Sequence, residues 1–171
     1  MEAGHLSLKQ ERLPAAEIIT DALEGQRPLA ASASLELRLE TAPELPDTWA
    51  DRDRLRQVFE NLIGNAIKFT KPGGRIALGA TVQEGEVTFS VSDTGRGIAS
   101  THLPHVFDRF WQAPGTERRG IGFGLAIVKS IVEAHGGRVW IQSVLGQGST
   151  VFFTIPTAAA QTAASHAAQE Q

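Results

Sequence analysis

The order of apolar patterns along the chain predicts an α+β protein built as a two-layer sandwich. One mixed sheet of about five strands carries about three helices on one face. Three observations predict it. Leu35-Glu36-Leu37-Arg38-Leu39-Glu40 alternates strictly, as a half-buried strand does. Asp51 to Thr70 carries a helical period and is ended by Lys71-Pro72-Gly73-Gly74. A second helical run, from about Gly122 to His135, is closed by Gly136-Gly137 and leads into a last pair of alternating runs.

The remaining elements follow in order. Leu6, Leu8 and Gln10 alternate with polar residues and suggest a short edge strand. Pro14 suits the first turn of a helix, with Ala15, Ile18, Ile19, Ala22 and Leu23 at helical spacing. A Pro-rich turn from Pro43 to Pro46 leads to Trp49. Two strands, Arg75 to Val82 and Glu86 to Val91, are joined by a turn at Glu84-Gly85. Ser92 to Arg119 is rich in glycine, proline and charge without a clear period. Such a long loop in a compact domain is usually functional or a misread element. Arg138 to Ser143 and Ser149 to Ile155 form a closing hairpin around Gly146-Gln147-Gly148.

Composition narrows the function. With 171 residues and 42% hydrophobic content, the chain suits one compact domain. Lys plus Arg number 16 against 19 Asp plus Glu, a formal charge of −3, which argues against a nucleic-acid partner. Cysteine is absent, which excludes disulfides and cysteine metal sites and fits a reducing cytosol. No apolar run approaches the roughly 20 residues that span a bilayer, so no membrane contact is expected of this domain. The start of the chain lacks a signal-peptide core. From Thr157 onward, Ala, Gln, Ser and Thr dominate, so residues 158–171 are expected to be a disordered tail.

The second helix carries a polar cluster. Leu55, Val58, Phe59, Leu62, Ala66 and Phe69 share one broad face. Asn61, Asn65 and Lys68 share another, within about one-sixth of the circle. Asparagine is an indifferent helix former, so two at i, i+4 beside a lysine suggest a task. An amide oxygen can ligate a hard cation such as Mg²⁺, and lysine can neutralise phosphate. A solvated polar face would give the same pattern.

Two glycine segments flank the long loop. Ser92-Asp93-Thr94-Gly95-Arg96-Gly97-Ile98 follows a strand, and a carboxylate at such a turn can accept from an amino group. An ordinary Asp-Gly turn reads the same way. Gly120-Ile121-Gly122-Phe123-Gly124-Leu125 precedes a helix, where free N–H groups and the dipole favour phosphate. It is neither the dinucleotide fingerprint nor a Walker loop. Between them lie Val106-Phe107-Asp108-Arg109-Phe110-Trp111-Gln112 and Arg118-Arg119, aromatics and arginines of the kind that close over phosphate. Phe107 and Phe110 pinned in a core would look the same.

The order and spacing of these pieces resemble the ATP-binding catalytic domain of the sensor histidine kinases. Asn61, Asn65 and Lys68 resemble the N box, Asp93 to Gly97 the first glycine box, Phe107 to Phe110 the F box, and Gly120 to Leu125 the second glycine box. The likeness runs from Glu2-Ala3-Gly4 to about Pro156 and includes the Gly146-Gln147-Gly148-Ser149-Thr150 hairpin. It implies the Bergerat fold and a set of roles, with ATP and Mg²⁺ as cofactors. Asn65 would hold Mg²⁺ and Asn61 would support the metal or phosphates. Lys68 would contact phosphate, and Phe69 would pack near the adenine. Asp93 would accept from the adenine amine, with Gly95, Gly97 and Ile98 passing the base. Gly120, Gly122, Phe123, Gly124 and Leu125 would form the lid hinge and phosphate cradle. Arg109, Arg118 and Arg119 would reach the γ-phosphate.

Two positions depart from the family pattern. Ile121 stands where a small hydroxyl residue is usual, and Gln112 where a basic residue is usual. None of His5, His102, His105, His135 or His166 has the flanking acidic residue and proline of the family's phosphoacceptor histidine. Residues 1–5 resemble the join just after the helical hairpin that carries that histidine, so the hairpin is expected upstream, with the catalytic domain spanning 6–157.

The resemblance implies phosphoryl transfer to a histidine of that dimerisation hairpin, a response regulator receiver domain downstream, a monomeric isolated domain and a cytoplasmic setting. Three rivals share the fold. They are an ATPase switch of gyrase or chaperone type, a degenerate nucleotide-sensing module, and a serine kinase of anti-sigma-factor type. The first would place a water-activating Glu where this chain has Asn61.

Overall fold

A computed structural model describes residues 6–109, Trp111 and residues 124–170. In chain order its elements are β1 (Glu11–Pro14), α1 (Ala15–Ser32), β2 (Glu36–Thr41), β3 (Asp47–Ala50), α2 (Arg52–Phe69), β4 (Arg75–Gln83), β5 (Glu86–Asp93), a 3₁₀ turn (Leu103–His105), α3 (Gly124–Ala134), β6 (Val139–Val144), β7 (Gly148–Pro156) and α4 (Ala158–Gln169). The main sheet has five strands in the order β2-β4-β5-β7-β6. β2 runs parallel to β4, and the other pairs are antiparallel, so the sheet is mixed as expected.

Period-2 alternation decides which face is covered. Ile76, Leu78 and Ala80 of β4 point the same way as Val87, Phe89 and Val91 of β5 and Val151, Phe153 and Ile155 of β7, and all are buried. Helices α1, α2 and α3 pack on that face. Phe59 of α2 meets Phe89 and Phe153 edge-on, with centroids 5.6 and 5.3 Å away, while the two strand rings stack at 5.2 Å. Such pairs contribute about 0.5–1.5 kcal/mol each beyond area burial. This triad holds α2 in place over the middle of the sheet.

Helix α2 is bounded where its sequence signals say. Asp51 is the N-cap and accepts from Arg54 N–H at 3.1 Å, and it also accepts from Lys9 N–H at 2.8 Å. Thr70 ends the helix, its hydroxyl donating to the Ala66 carbonyl at 2.6 Å.

Two expectations are corrected. The first strand is Glu11–Pro14, not the Leu6 to Gln10 stretch. Its partner is β3, in the register Glu11↔Ala50 to Pro14↔Asp47, and Thr48 donates its hydroxyl to Leu13 O at 3.0 Å. Four-residue strands are too short to print an alternation, and each exists only because the other covers its backbone. Residues 158–169 form helix α4 rather than a disordered tail. Thr157 caps it by accepting from Ala160 N–H at 3.0 Å, and alanine is the best helix former, so large apolar residues are not needed locally. Among the described residues no helix is long and apolar enough to cross a membrane.

A buried histidine ties α3 to α2. His135 Nε2 accepts from the Asp51 backbone N–H at 3.1 Å, and Nδ1–H donates to Ile131 O at 2.8 Å, which requires the neutral ring. Burial pushes its pKa below the ordinary value, outweighing the Ile131 hydrogen bond and the Asp51 charge that act the other way. The unfolded chain therefore binds this proton more readily than the fold does. Stability is present above the ordinary imidazole pKa of about 6.5 and is lost as pH falls from there through the lowered native value. Denaturant unfolding between about pH 7.5 and 5 is expected to show this loss, and His135→Gln to flatten it. An equal slope in the variant would remove His135 from the explanation.

Candidate functional site

A cavity of about 270 Å³ opens between the C-terminal half of α2, the end of β5, the start of α3 and the β6–β7 hairpin. Its wall is mostly apolar, with Leu62, Val91, Ile98, Leu125 and Val151 among the lining residues. Its polar groups are few: Asn65 and Lys68 from α2, Asp93 at the end of β5, Arg96 and His102 from the loop, and Ser149 from β7. An apolar pocket with a few fixed polar groups is the usual form of a small-molecule site.

Asp93 lies on the cavity floor because β5 places it two residues beyond Val91, on the helix-covered face. Its carboxylate accepts from Gly95 N–H at 2.9 Å, and the nearby backbone N–H of Ser149 also favours its charged form. Burial raises its pKa above the ordinary carboxylate value, although both N–H groups oppose that shift. A partly desolvated carboxylate has unmet capacity to accept from a ligand's donor.

The turn after Asp93 is fastened on two sides. Arg96 N–H donates to Phe69 O, the end of α2, at 3.4 Å. Gly146 N–H donates to Arg96 O at 2.6 Å, and Ile98 N–H donates to Ser143 Oγ at 2.7 Å. Gly97, at φ +71°, sits with no room for a side chain against the Val144 carbonyl. The Phe69 ring carries the Arg96 guanidinium at 4.8 Å and Lys68 Nζ at 5.3 Å from its centroid. These are cation–π distances.

Asn65 and the start of α3 are neighbours. Gly124, the first residue of α3, lies so near that a Cβ there would stand 3.4 Å from Asn65 Nδ2. An amide that can ligate a cation therefore stands beside a helix N-terminus that favours anions. Asn61, one turn earlier, does not line the cavity, and its Nδ2 is buried without a partner among the described residues.

The expected site residues divide into three groups. Asn65, Lys68, Phe69, Asp93, Gly97, Ile98 and Leu125 line one cavity, with Gly95 and Gly124 at its edge. Asn61 and Arg109 do not line it, and Arg109 is exposed. Gln112, Arg118, Arg119, Gly120, Ile121, Gly122 and Phe123 lie outside the described residues, as does Phe110. Arg96, His102, Trp111 and Ser149 line the cavity without having been singled out as site residues. Arg96 and Trp111 sat inside the motifs already noted. Ser149 sat inside the closing hairpin, and the pairing of β7 with β5 sets it beside Asp93.

The sandwich and its cavity define a small-molecule-binding domain. Residues 50–159 match the model of the histidine kinase-, DNA gyrase B-, and HSP90-like ATPases, and the chain belongs to that family. It is 43% identical over 127 residues to the adaptive-response sensory kinase SasA of Synechococcus elongatus, covering 73% of this chain and 33% of that protein. Full-length ShkA in complex with AMPPNP superposes with a TM-score of 0.81 at 35% identity, over 91% of this chain and 32% of that one. The histidine kinase ThkA in complex with the response regulator protein TrrA gives 0.74 at 26% identity, over 86% of this chain and 42% of that one. The chain thus spans about a third of the length of the SasA relative.

Two glycines separate backbone strain from packing. Gly146 has φ +84° with open space around it, whereas Gly97 is both left-handed and crowded. Gly146→Ala is expected to cost only the backbone penalty of about 1–2 kcal/mol. Gly97→Ala should cost clearly more, because the hairpin must move. Urea midpoints measure both, and equal losses would mean that the Gly97 contact does not matter.

Proposed function

We propose that this domain binds Mg·ATP and transfers the γ-phosphoryl group to a histidine on a separate dimerisation hairpin of its own kinase. The hairpin then passes the phosphate to a response regulator receiver domain. The observation that carries the reading is a cavity with Asp93 on its floor and Asn65 against the start of α3. Support comes from the AMPPNP complex of ShkA and the response-regulator complex of ThkA, each a property of that protein.

The roles follow from charge and position. Asp93 accepts from the adenine amine, and Phe69, Gly95, Gly97 and Ile98 frame the base. Lys68, Gly124 and Leu125 at the head of α3, and Gly120, Gly122 and Phe123 before it, serve the phosphates. Arg109, Arg118 and Arg119 are the candidates for γ-phosphate contact.

The donor set suits magnesium. Among the described residues no group of three or more His, Cys, Asp or Glu gathers that could hold a metal ion. One amide oxygen from Asn65, supported by Asn61 and completed by phosphate oxygens and water, is the kind of shell Mg²⁺ accepts. Bound there, the ion would neutralise charge on the phosphates. The protein's own part is to orient the nucleotide, so that a histidine nitrogen forms the new N–P bond as the bond to the ADP oxygen breaks.

Hydrolysis is disfavoured by the same residues. Asn61 stands where the gyrase-type ATPases carry a water-activating Glu, and an amide does not take that proton. Glu60, one residue earlier, is exposed on another side of α2. The reading also sets the domain in the cytoplasm as a monomer when isolated, without nucleic-acid or membrane contact.

Labelled ATP tests the proposal. The domain alone should stay unlabelled and turn over little ATP. Adding the purified hairpin dimer should put an acid-labile phosphate on the hairpin, slowly, because no tether raises the effective concentration. Asn65→Ala should weaken Mg·ATP binding more than metal-free ATP binding. Label on this chain itself, or rapid hydrolysis without the hairpin, would contradict the assignment.

A further inference from the structure

Beside the cavity, three strands bring Ser143, Ser149 and Asp93 onto one row. Ser143 pairs with Ser149 across β6 and β7, and Ser149 pairs with Asp93 across β7 and β5. Ser149 and Asp93 line the cavity, whereas Ser143 lies behind them and does not.

The Ser143 hydroxyl makes three contacts. It receives Ile98 N–H at 2.7 Å, reaches Gly148 O at 3.0 Å, and lies 2.8 Å from Ser149 Oγ. A serine hydroxyl has one proton and two lone pairs. The Gly148 carbonyl can only accept, so the Ser143 proton goes there. The Ile98 amide can only donate, so it fills one Ser143 lone pair. The remaining lone pair must then accept the Ser149 proton. Only this distribution of two protons satisfies all three contacts at once.

The consequence lies on the cavity side. With its proton committed to Ser143, Ser149 Oγ has only lone pairs left to present. Asp93 beside it, ionised, is also an acceptor. The Ser149–Asp93 pair on the floor therefore offers acceptors and no side-chain donor.

We propose that Ser143 is a positioning residue for base selection: by taking the Ser149 proton it keeps the cavity floor acceptor-only, which favours a 6-amino purine over a 6-oxo purine. The inference rests on the ATP reading above. A 6-amino group can supply one hydrogen to each acceptor, whereas a 6-oxo group meets both with a lone pair. Unmade hydrogen bonds between facing acceptors are penalised, so the oxo purine is rejected. Removing the Ser143 hydroxyl frees the Ser149 proton to turn into the cavity and greet the oxo oxygen.

The test is the ratio of ITP to ATP dissociation constants for the folded domain. Wild type should prefer ATP. Ser143→Ala should narrow the ratio by about tenfold, the size of one hydrogen bond gained, mainly through tighter ITP binding. Losing the Ile98 hydrogen bond weakens both nucleotides alike and cancels from the ratio. Ser143→Thr keeps the hydroxyl and should keep the wild-type ratio. If Ser143→Ala weakens both nucleotides equally and leaves the ratio unchanged, Ser143 is merely structural and the proposal fails. Should that variant not fold, Ser149→Ala removes the same lone pairs from the floor and must also narrow the ratio, and an unchanged ratio there is equally fatal. A folded wild type that binds neither nucleotide overturns the nucleotide reading itself, a result distinct from ATP binding with an unmoved ratio.

Discussion

Pairing of β5 with β7 along the whole of β5, from Glu86↔Pro156 to Asp93↔Ser149, is the constraint on which the cavity depends. The register places Phe89 against Phe153, and α2 settles on that pair through Phe59. Because the same helix carries Asn65 and Lys68, their distance from Asp93 is set by the aromatic core. A one-residue slip would turn Asp93 to the open face of the sheet and bury its neighbour instead. The chemistry of the site is in this sense inherited from packing.

The second determinant is the fastening of the turn from Asp93 to Ile98. Phe69 O receives Arg96 N–H on one side, and the β6–β7 hairpin meets Arg96 O and Ile98 N–H on the other. Helix end and hairpin tip thus hold one short segment between them. The apolar wall keeps the local dielectric low, which strengthens any hydrogen bond Asp93 makes to a ligand and raises the cost of leaving it ionised and unpaired. A carboxylate with a raised pKa in a cleft is a frequent mark of a functional site.

Much of the fold was legible in the chain because its longer elements carry strong periods. Helix α2 announced itself by its apolar face and its ends at Asp51 and Thr70, and β4, β5 and β7 by alternation. The family motifs name Asn65, Lys68, Phe69 and Asp93, four residues that line one cavity. Other features were not readable. β1 and β3 are four residues each and distant in sequence, so neither carries a local signal. Helix α4 rests on alanine propensity and a threonine cap, which a count of large apolar residues ignores. Ser149 depends on register, and the stacking of Arg96 on Phe69 depends on how a turn meets a helix end. Arg109, expected near phosphate, is exposed and does not line the cavity.

What Asp93 does with a ligand is most directly measured by calorimetric titration of the wild-type domain and Asp93→Ala with ATP and GTP. The wild type should bind ATP more tightly than GTP by at least about tenfold, since guanine brings a carbonyl oxygen to the carboxylate. Asp93→Ala should lose most of its ATP affinity and with it the preference. Equal affinities in the wild type, or full ATP affinity in Asp93→Ala, would contradict the reading of this cavity as an adenine nucleotide site.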